Sequence, residues 1–446
     1  MENTETGNTD LKLSLLTEFQ NFEKNLNGEA ESAFHKIRKD AFESFKELGF
    51  PNKKLEDWKY TNLNPILKLN LKHSLTEYKS ALTKADIKKY LIKDSDINLL
   101  VFVNGHYDKN LSEVVTKDEN VFIGSFSEGM KKYRDVIENH FGKYADYKKN
   151  GLIALNTAFA ADGCFIYVKK GYEVTEAIHI LNISDAVNET YISQLRNLII
   201  AEEGAGLKVV NDYHTIGDKH CFTNVVTEIF CETKSDVSHY KIQNDSDNAY
   251  YIGTTQVHQD KDSKFSDTTI SWGGAITRND LNSVFDGTNT ECHFYGLYLL
   301  TGRQHVDNHT LADHKSPHCY SNELYKGIID DNATGVFNGK IMVREDAQKT
   351  NAYQSNNNIL LSDDATIYSK PQLEIFADDV KCSHGATTGQ LNENEMFYLQ
   401  SRGISKENAR TLLLYAFSSD VIDSIKIDEL REIIVKKLES KLKKEV

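Results

Sequence analysis

"GVFNGKIMVREDAQKTNAYQSNNNILLSDDATIYSKPQLEIFADDVKCSHGAT", residues 335–387, consists of short apolar or alternating runs broken by Gly, Asn and Asp. β-branched and aromatic residues fill the runs, and the breaks carry turn formers, so the stretch reads as consecutive strands. The same texture extends from about residue 152 to 390, through "CFIYVKKG", "AIHILNIS", "LRNLIIAEEGAGLKVVND" and "CHFYGLYLLTG". No helical period of useful length interrupts it, and Pro317 and Pro371 are its only prolines. A sandwich, a propeller and a solenoid all fit this pattern, and no strict repeat period selects among them. The run Asn356, Asn357, Asn358 fits a solenoid, whose stacked asparagines bond along the rungs, and it fits a polar turn equally well.

Outward from this body the texture turns helical. Leu15, Phe19, Phe22 and Leu26 recur at helical spacing, as do Phe34, Ile37, Ala41, Phe45 and Leu48, with Gly49 and Pro51 as a stop. A mixed segment follows, in which "INLLVFVNGHYD" (97–108) reads as strand and turn and "EGMKKYRDVIENHFGKY" (128–144) as one helix. Beyond 390, Ser405 is a natural N-cap for "KENARTLLLYAF". Ile427, Leu430, Ile434, Leu438 and Leu442 form one stripe on a terminal helix, suited to packing at home or on a partner. Three regions result: 1–150 helical and mixed, 151–390 β, and 391–446 helical.

The chain has 446 residues, 39% hydrophobic and 26% charged, which places it among folded globular proteins. With 52 basic and 66 acidic residues the net charge is −14, which argues against a nucleic-acid role. The opening "MENTETGNTD" lacks the features of a secretion signal, and no apolar stretch approaches a membrane span. Six cysteines without a C-x-x-C read as reduced thiols, and a cytoplasmic protein is expected.

Several motifs weaken on inspection. "GVFNGK" (335–340) lacks the spacing and the Ser or Thr of a phosphate loop, and "GAGLK" (204–208) lacks the third glycine of a dinucleotide fingerprint. Both are expected to be tight turns. "HVDNHTLADHKSPHC" (305–319) gathers His305, His309, His314, His318 and Cys319, but without the Glu of H-E-x-x-H. It reads as structural histidines ahead of a metal site. Cys382 and His384 lie two residues apart, so on a strand they share a face, with Cβ atoms about 6.5–7 Å apart. That is too far for a nucleophile and its base in direct contact. One thiolate and one imidazole are also only two ligands where a closed site needs four. Two ligands at a strand end are what one subunit would contribute to a shared site.

"KCSHGATTGQLNENEMFYLQSRGISKENARTLLLYAF" (381–417), the stretch quoted first, and "FPNKKLEDWKYTNL" (50–63) together resemble the SufB/SufD family, over about residues 50–420. His384 stands where the SufB branch has Glu, and Asn356 lies near the place of that branch's scaffold cysteine, so the SufD branch is the better match. The resemblance implies a mainly β fold, a right-handed parallel β-helix flanked by helical regions. It implies a non-catalytic subunit of a complex that assembles iron–sulfur clusters, with no intrinsic cofactor. The β-helix would pair with a SufB-like paralogue, and the C-terminal helices would dock a SufC-like ABC ATPase. His384, with Cys382 beside it, would help hold transient iron or a nascent cluster at the SufB interface. Phe397, Tyr398, Leu399, Arg402, Gly403, Leu412, Leu413 and Leu414 would form the ATPase-docking surface. The family also suggests reduced FAD in the complex, although no motif here supports it. A homodimer without SufB stays open, because an unpaired β-helix edge is adhesive. Two other classes compete: a carbohydrate-active β-helix enzyme using Lys340, Arg344 and Asp346, and a stand-alone metal-binding protein using the histidine cluster.

Overall fold

Side chains on a strand alternate between its faces, and here one face of nearly every strand is drawn into a single apolar interior. In Tyr320–Ile329, Ser321, Glu323, Tyr325 and Ile329 are buried on the inner face, while Leu324 and Ile328 belong to an outer cluster. Within the body each strand pairs in parallel with the strand one turn later, and with antiparallel strands added at one end this makes two ten-stranded sheets. The first sheet runs from Cys164–Val168 through Tyr191–Ala201 and Cys221–Cys231 to Thr366–Ile375. The second runs from Asn98–Val103 through Ile178–Asp185 to Lys381–Gly389. A chain alternating between two such sheets is a parallel β-solenoid, with helical regions at both ends as expected. This computed structural model describes residues 3–24, 32–73, 80–92, 96–160 and 162–443.

The lack of a strict repeat has a visible cause. Tyr191 pairs with Cys221, Cys221 with Ala249, Tyr250 with Ile276 and Thr334 with Thr366, so successive turns advance by 30, 28, 26 and 32 residues. The strands keep register while the loops between them absorb the differences.

Three apolar layers hold the molecule together. The lumen is filled by residues such as Ile199, Ile229, Phe265, Phe294 and Tyr325. On the outer face of the first sheet, Phe19, Phe42, Phe45 and Trp58 pack against Ile192, Phe222 and Ile252. On the outer face of the second sheet, the helices Lys406–Ile422 and Asp428–Lys443 bury Leu430, Ile434, Leu438 and Leu442 against Val210, Ile242, Trp272 and Leu299. The terminal stripe therefore packs on its own domain. Among the described residues no helix is long and apolar enough to cross a membrane.

The helices Asn3–Lys24 and Ala33–Leu48 form as expected, the second ending at Gly49 with φ 62°; Leu26 lies outside the described residues. Other local expectations change. The single helix expected over 128–144 is two, Phe126–Lys132 and Arg134–His140, because Tyr133 leaves the helical region at φ −135°. Gly151–Ala158 is a helix inside the stretch expected to be strand; all its residues are buried, so it shows no amphipathic period. "GVFNGK" is not a turn but lies inside Thr334–Val343. Its Gly339 faces the lumen, where a Cβ would come within 2.4 Å of the Gln354 amide.

Glu228, fully buried on the first sheet, pins the preceding segment to the solenoid. Its carboxylate accepts the backbone N–H groups of Gly142 (2.9 Å), Tyr144 (2.8 Å) and Ala145 (2.9 Å) and pairs with the buried Arg196 guanidinium. Removing the carboxylate strands a buried cation and three amides. Glu228→Ala should therefore destabilise the chain by about 3–5 kcal/mol, read as a lower midpoint in guanidinium chloride. An unchanged midpoint would show that this pin is dispensable.

Candidate functional site

The two ends of the solenoid differ. At the first, Val121–Ser125 pairs antiparallel with Cys164–Val168, and His106–Tyr107 folds back antiparallel on Asn98–Val103 through Asn104 and Gly105, both at positive φ. One hairpin and one long-range antiparallel pair thus cover that end. At the other end, Thr366–Ile375 and Lys381–Gly389 each have a strand neighbour on one side only among the described residues. Their residues are exposed or half-exposed even on the inner face, which is buried in the preceding rung, and Phe376 is 61% exposed.

The candidate ligands sit on the inner face of this last rung. Cys382 is in register with Ala352, behind which come Ser321 and Cys292; His384 is in register with Gln354 and then Glu323. The preceding residues of both rows are buried in the lumen, so Cys382 and His384 share the inward face, as their spacing predicts. Cys382 is half-buried against the lumen core, and burial pushes its thiol pKa up. His384 is exposed. The other five cysteines are buried free thiols. Among the described residues no three His, Cys, Asp or Glu side chains gather as a metal site, so this chain offers two donors and no closed cage.

Asn356 is fully buried. It accepts from Ser369 (2.8 Å) and Asn358 (2.8 Å) and donates to the Tyr325 carbonyl of the preceding rung (3.3 Å). The asparagine run therefore bonds between rungs. Deeper in the same lumen, Glu323 accepts from the Thr310 hydroxyl (2.7 Å) and the Gln354 amide (3.0 Å). Sequence reading passed over this group. Its signal was Gln354, Asn356 and Asn358 at period two, three polar residues on one strand face.

Burial raises the Glu323 pKa from 4.5 to about 7. The folded state thus holds a proton that the unfolded state releases above its own pKa, so stability falls as pH rises from about 4.5 to 7 and levels off above. Relative to Glu323→Gln, the wild type should lose about 2–3 kcal/mol between pH 4.5 and 8. Chemical denaturation of both proteins at the two pH values reads the difference; parallel pH profiles would contradict it.

The histidine cluster is structural. His305 meets the Thr61 hydroxyl at 2.8 Å, and Asp307 accepts from Thr61 (2.5 Å) and Arg278 (2.8 Å). The Arg278 guanidinium lies 4.0 Å from the Trp58 ring centroid, so this group fastens the "EDWKYTNL" segment to the first sheet. His309 pairs with Asp307 (3.0 Å), and buried His314 stacks on Phe285 and bonds Ser321 (2.9 Å). Burial holds the His314 pKa near 3, and the ring neutral. His318 sits in a turn at φ 64°, and Cys319 is buried. Of the three charges of the enzyme reading, Lys340 pairs with Glu374 (2.8 Å) and Arg344 with Asp313 (2.9 Å), while Asp346 is exposed.

A second surface lies on Glu393–Ser401, a helix with no buried residue. Phe397 is 74% exposed and Tyr398 57%, with the Arg402 guanidinium 5.2 Å from the Tyr398 ring centroid. Gly403, at φ 88°, turns the chain toward Lys406–Ile422, on which Leu412 is 48% exposed. Leu399 and Leu413 are half-buried. Leu414, expected with them, is 1% exposed and belongs to the core beneath the helix. Two residues are about 200° of helical rotation, so Leu414 points opposite to Leu412.

Residues 183–417 match the SufBD core domain of SUF-system FeS cluster assembly, and residues 9–180 match the SufBD protein N-terminal region. An iron–sulfur cluster assembly SufBD family protein of Synechocystis is 31% identical over 91% of this chain and 90% of its own length. The iron–sulfur cluster assembly protein SufD of Escherichia coli is 27% identical over 88% of this chain and 90% of its own. That of Bacillus subtilis is 26% identical over 91% and 93%. The solenoid with flanking helices and the match across the core therefore agree, and this chain belongs to the SufBD family of iron–sulfur cluster assembly proteins.

Proposed function

We propose that this chain is the non-catalytic, SufD-like subunit of a complex that builds iron–sulfur clusters, and that its open solenoid end is where a SufB-like paralogue attaches. The observation that carries this reading is the uncapped last rung. Two strand edges are available for pairing by a second sheet, the exposed Phe376 lies beside them, and two metal-competent side chains face inward at the seam. Iron, or the growing cluster, is cargo here. An imidazole is a good borderline donor and a thiolate a good cluster donor, and the paralogue would complete the ligand set.

The exposed helix Glu393–Ser401 and its neighbour would dock a SufC-like ATPase through Phe397, Tyr398, Leu399, Arg402, Gly403, Leu412 and Leu413. Aromatic residues and Arg dominate this patch, as they do the energetic centres of protein interfaces. ATP-driven movement there would reach the open end through the helices packed on the second sheet.

Co-purification with the SufB-like and SufC-like partners, followed by anaerobic reconstitution, tests the shared site. His384→Ala should still assemble the complex but retain much less iron and sulfide; unchanged iron places the site elsewhere. Phe397→Ser should weaken binding of the ATPase subunit by about 2 kcal/mol, roughly thirtyfold, and leave the paralogue bound. Full retention of the ATPase by Phe397→Ser would remove this helix as its dock.

A further inference from the structure

Gln354 is a polar side chain, 2% exposed, one rung below the open end. Its amide nitrogen is committed, donating to the Glu323 carboxylate at 3.0 Å. Its carbonyl oxygen is buried and has no hydrogen-bond partner among the described residues. An acceptor left bare in a protein interior is costly unless a donor reaches it in the working state. The residue stacked on Gln354 in register is His384. Side chains of in-register neighbours in adjacent strands project side by side, about 4.8 Å apart along the ladder. That is within reach of an imidazole N–H.

The surroundings hold the nitrogen end of the amide toward the preceding rung, away from His384. Glu323 also accepts from the Thr310 hydroxyl, so the Gln354 NH₂ is held toward the lumen by an acceptor already positioned. Gly339 lies against the same amide, and any larger residue there would collide with it. With the amide nitrogen turned inward, the amide oxygen is the atom left for the last rung.

We infer that Gln354 is the positioning residue for His384. Its carbonyl oxygen accepts one imidazole N–H, which fixes the tautomer and presents the other ring nitrogen, as a lone pair, to iron at the open end. Thr310 and Glu323 form the support beneath, in a chain that runs Thr310 to Glu323 to Gln354 to His384. This rests on the reading of His384 as an iron ligand. Partners of this kind behind metal-bound histidines are worth about 10–100-fold in metal affinity.

The test compares wild type, Gln354→Met and His384→Ala as full chains. Gln354→Met keeps the side-chain volume and removes the acceptor. Histidine-selective ¹⁵N NMR near pH 8 reports the tautomer of the His384 ring, identified by the resonance lost in His384→Ala. The wild type should show one dominant tautomer, and Gln354→Met should relax toward the mixture of a free imidazole. A change in packing alone would not shift that ratio. In the complex with the SufB-like paralogue, Fe(II) affinity should fall at least tenfold in Gln354→Met. A wild-type ring already at the free mixture, or an unchanged ratio in the variant, overturns the inference. If His384→Ala lowers iron binding and Gln354→Met does not, His384 is a ligand but Gln354 does not position it. If His384→Ala leaves iron binding intact, the underlying ligand reading fails as well.

Discussion

Rung-to-rung backbone pairing in strict parallel register is the constraint on which everything else here depends. Each strand satisfies its N–H and C=O groups only through the strand a turn before and the strand a turn after. The interior rows, such as His239, Asp267, Phe294, Glu323, Gln354 and His384, follow from that register. The same constraint has no solution at a terminus, because the last rung has nothing to pair with. One end of this molecule answers with antiparallel strand pairs. The other keeps its edges bare, and it is the end that carries Cys382 and His384.

The polar lumen near that end carries a penalty that an ordinary core would avoid. Glu323 and Gln354 continue a row that begins with Ile178 and Val209, and Asn356 and Asn358 add further polar groups on the same inner face. Most of their atoms find partners, which limits the cost of burial. Buried hydrogen-bonded side chains hold a fixed geometry better than aliphatic ones do, and fixed geometry is what the proposed ligand at the rim would need. The same logic separates this row from the His305, Asp307 and Arg278 group. That group turns its polar atoms toward Thr61 and Trp58 and serves attachment instead.

Much of this was legible in the sequence, and the exceptions have physical reasons. Alternation and turn residues marked the β body, and the Cys382–His384 spacing placed both on one face. Loop lengths that vary between turns hid the repeat, so choosing a solenoid needed the family resemblance. The helix Gly151–Ala158 was missed because burial on all sides erases amphipathic period. Leu414 was grouped with Leu412 by adjacency, though two steps along a helix reverse the direction of a side chain. The Glu323–Gln354 pair was invisible because its members are 31 residues apart and meet only through register.

We propose the bare edge at Lys381–Gly389 as the attachment site for a second solenoid. Amide hydrogen exchange on the chain, alone and with its SufB-like paralogue, tests this most directly. Attachment there requires rapid exchange of the outward-facing amides of 366–375 and 381–389 in the free chain, and strong protection of those amides, confined to the two strands, once the paralogue is added. Protection that appeared instead on the end covered by antiparallel pairs or over the N-terminal helices, with the outward-facing amides of 381–389 still exchanging freely, would contradict it.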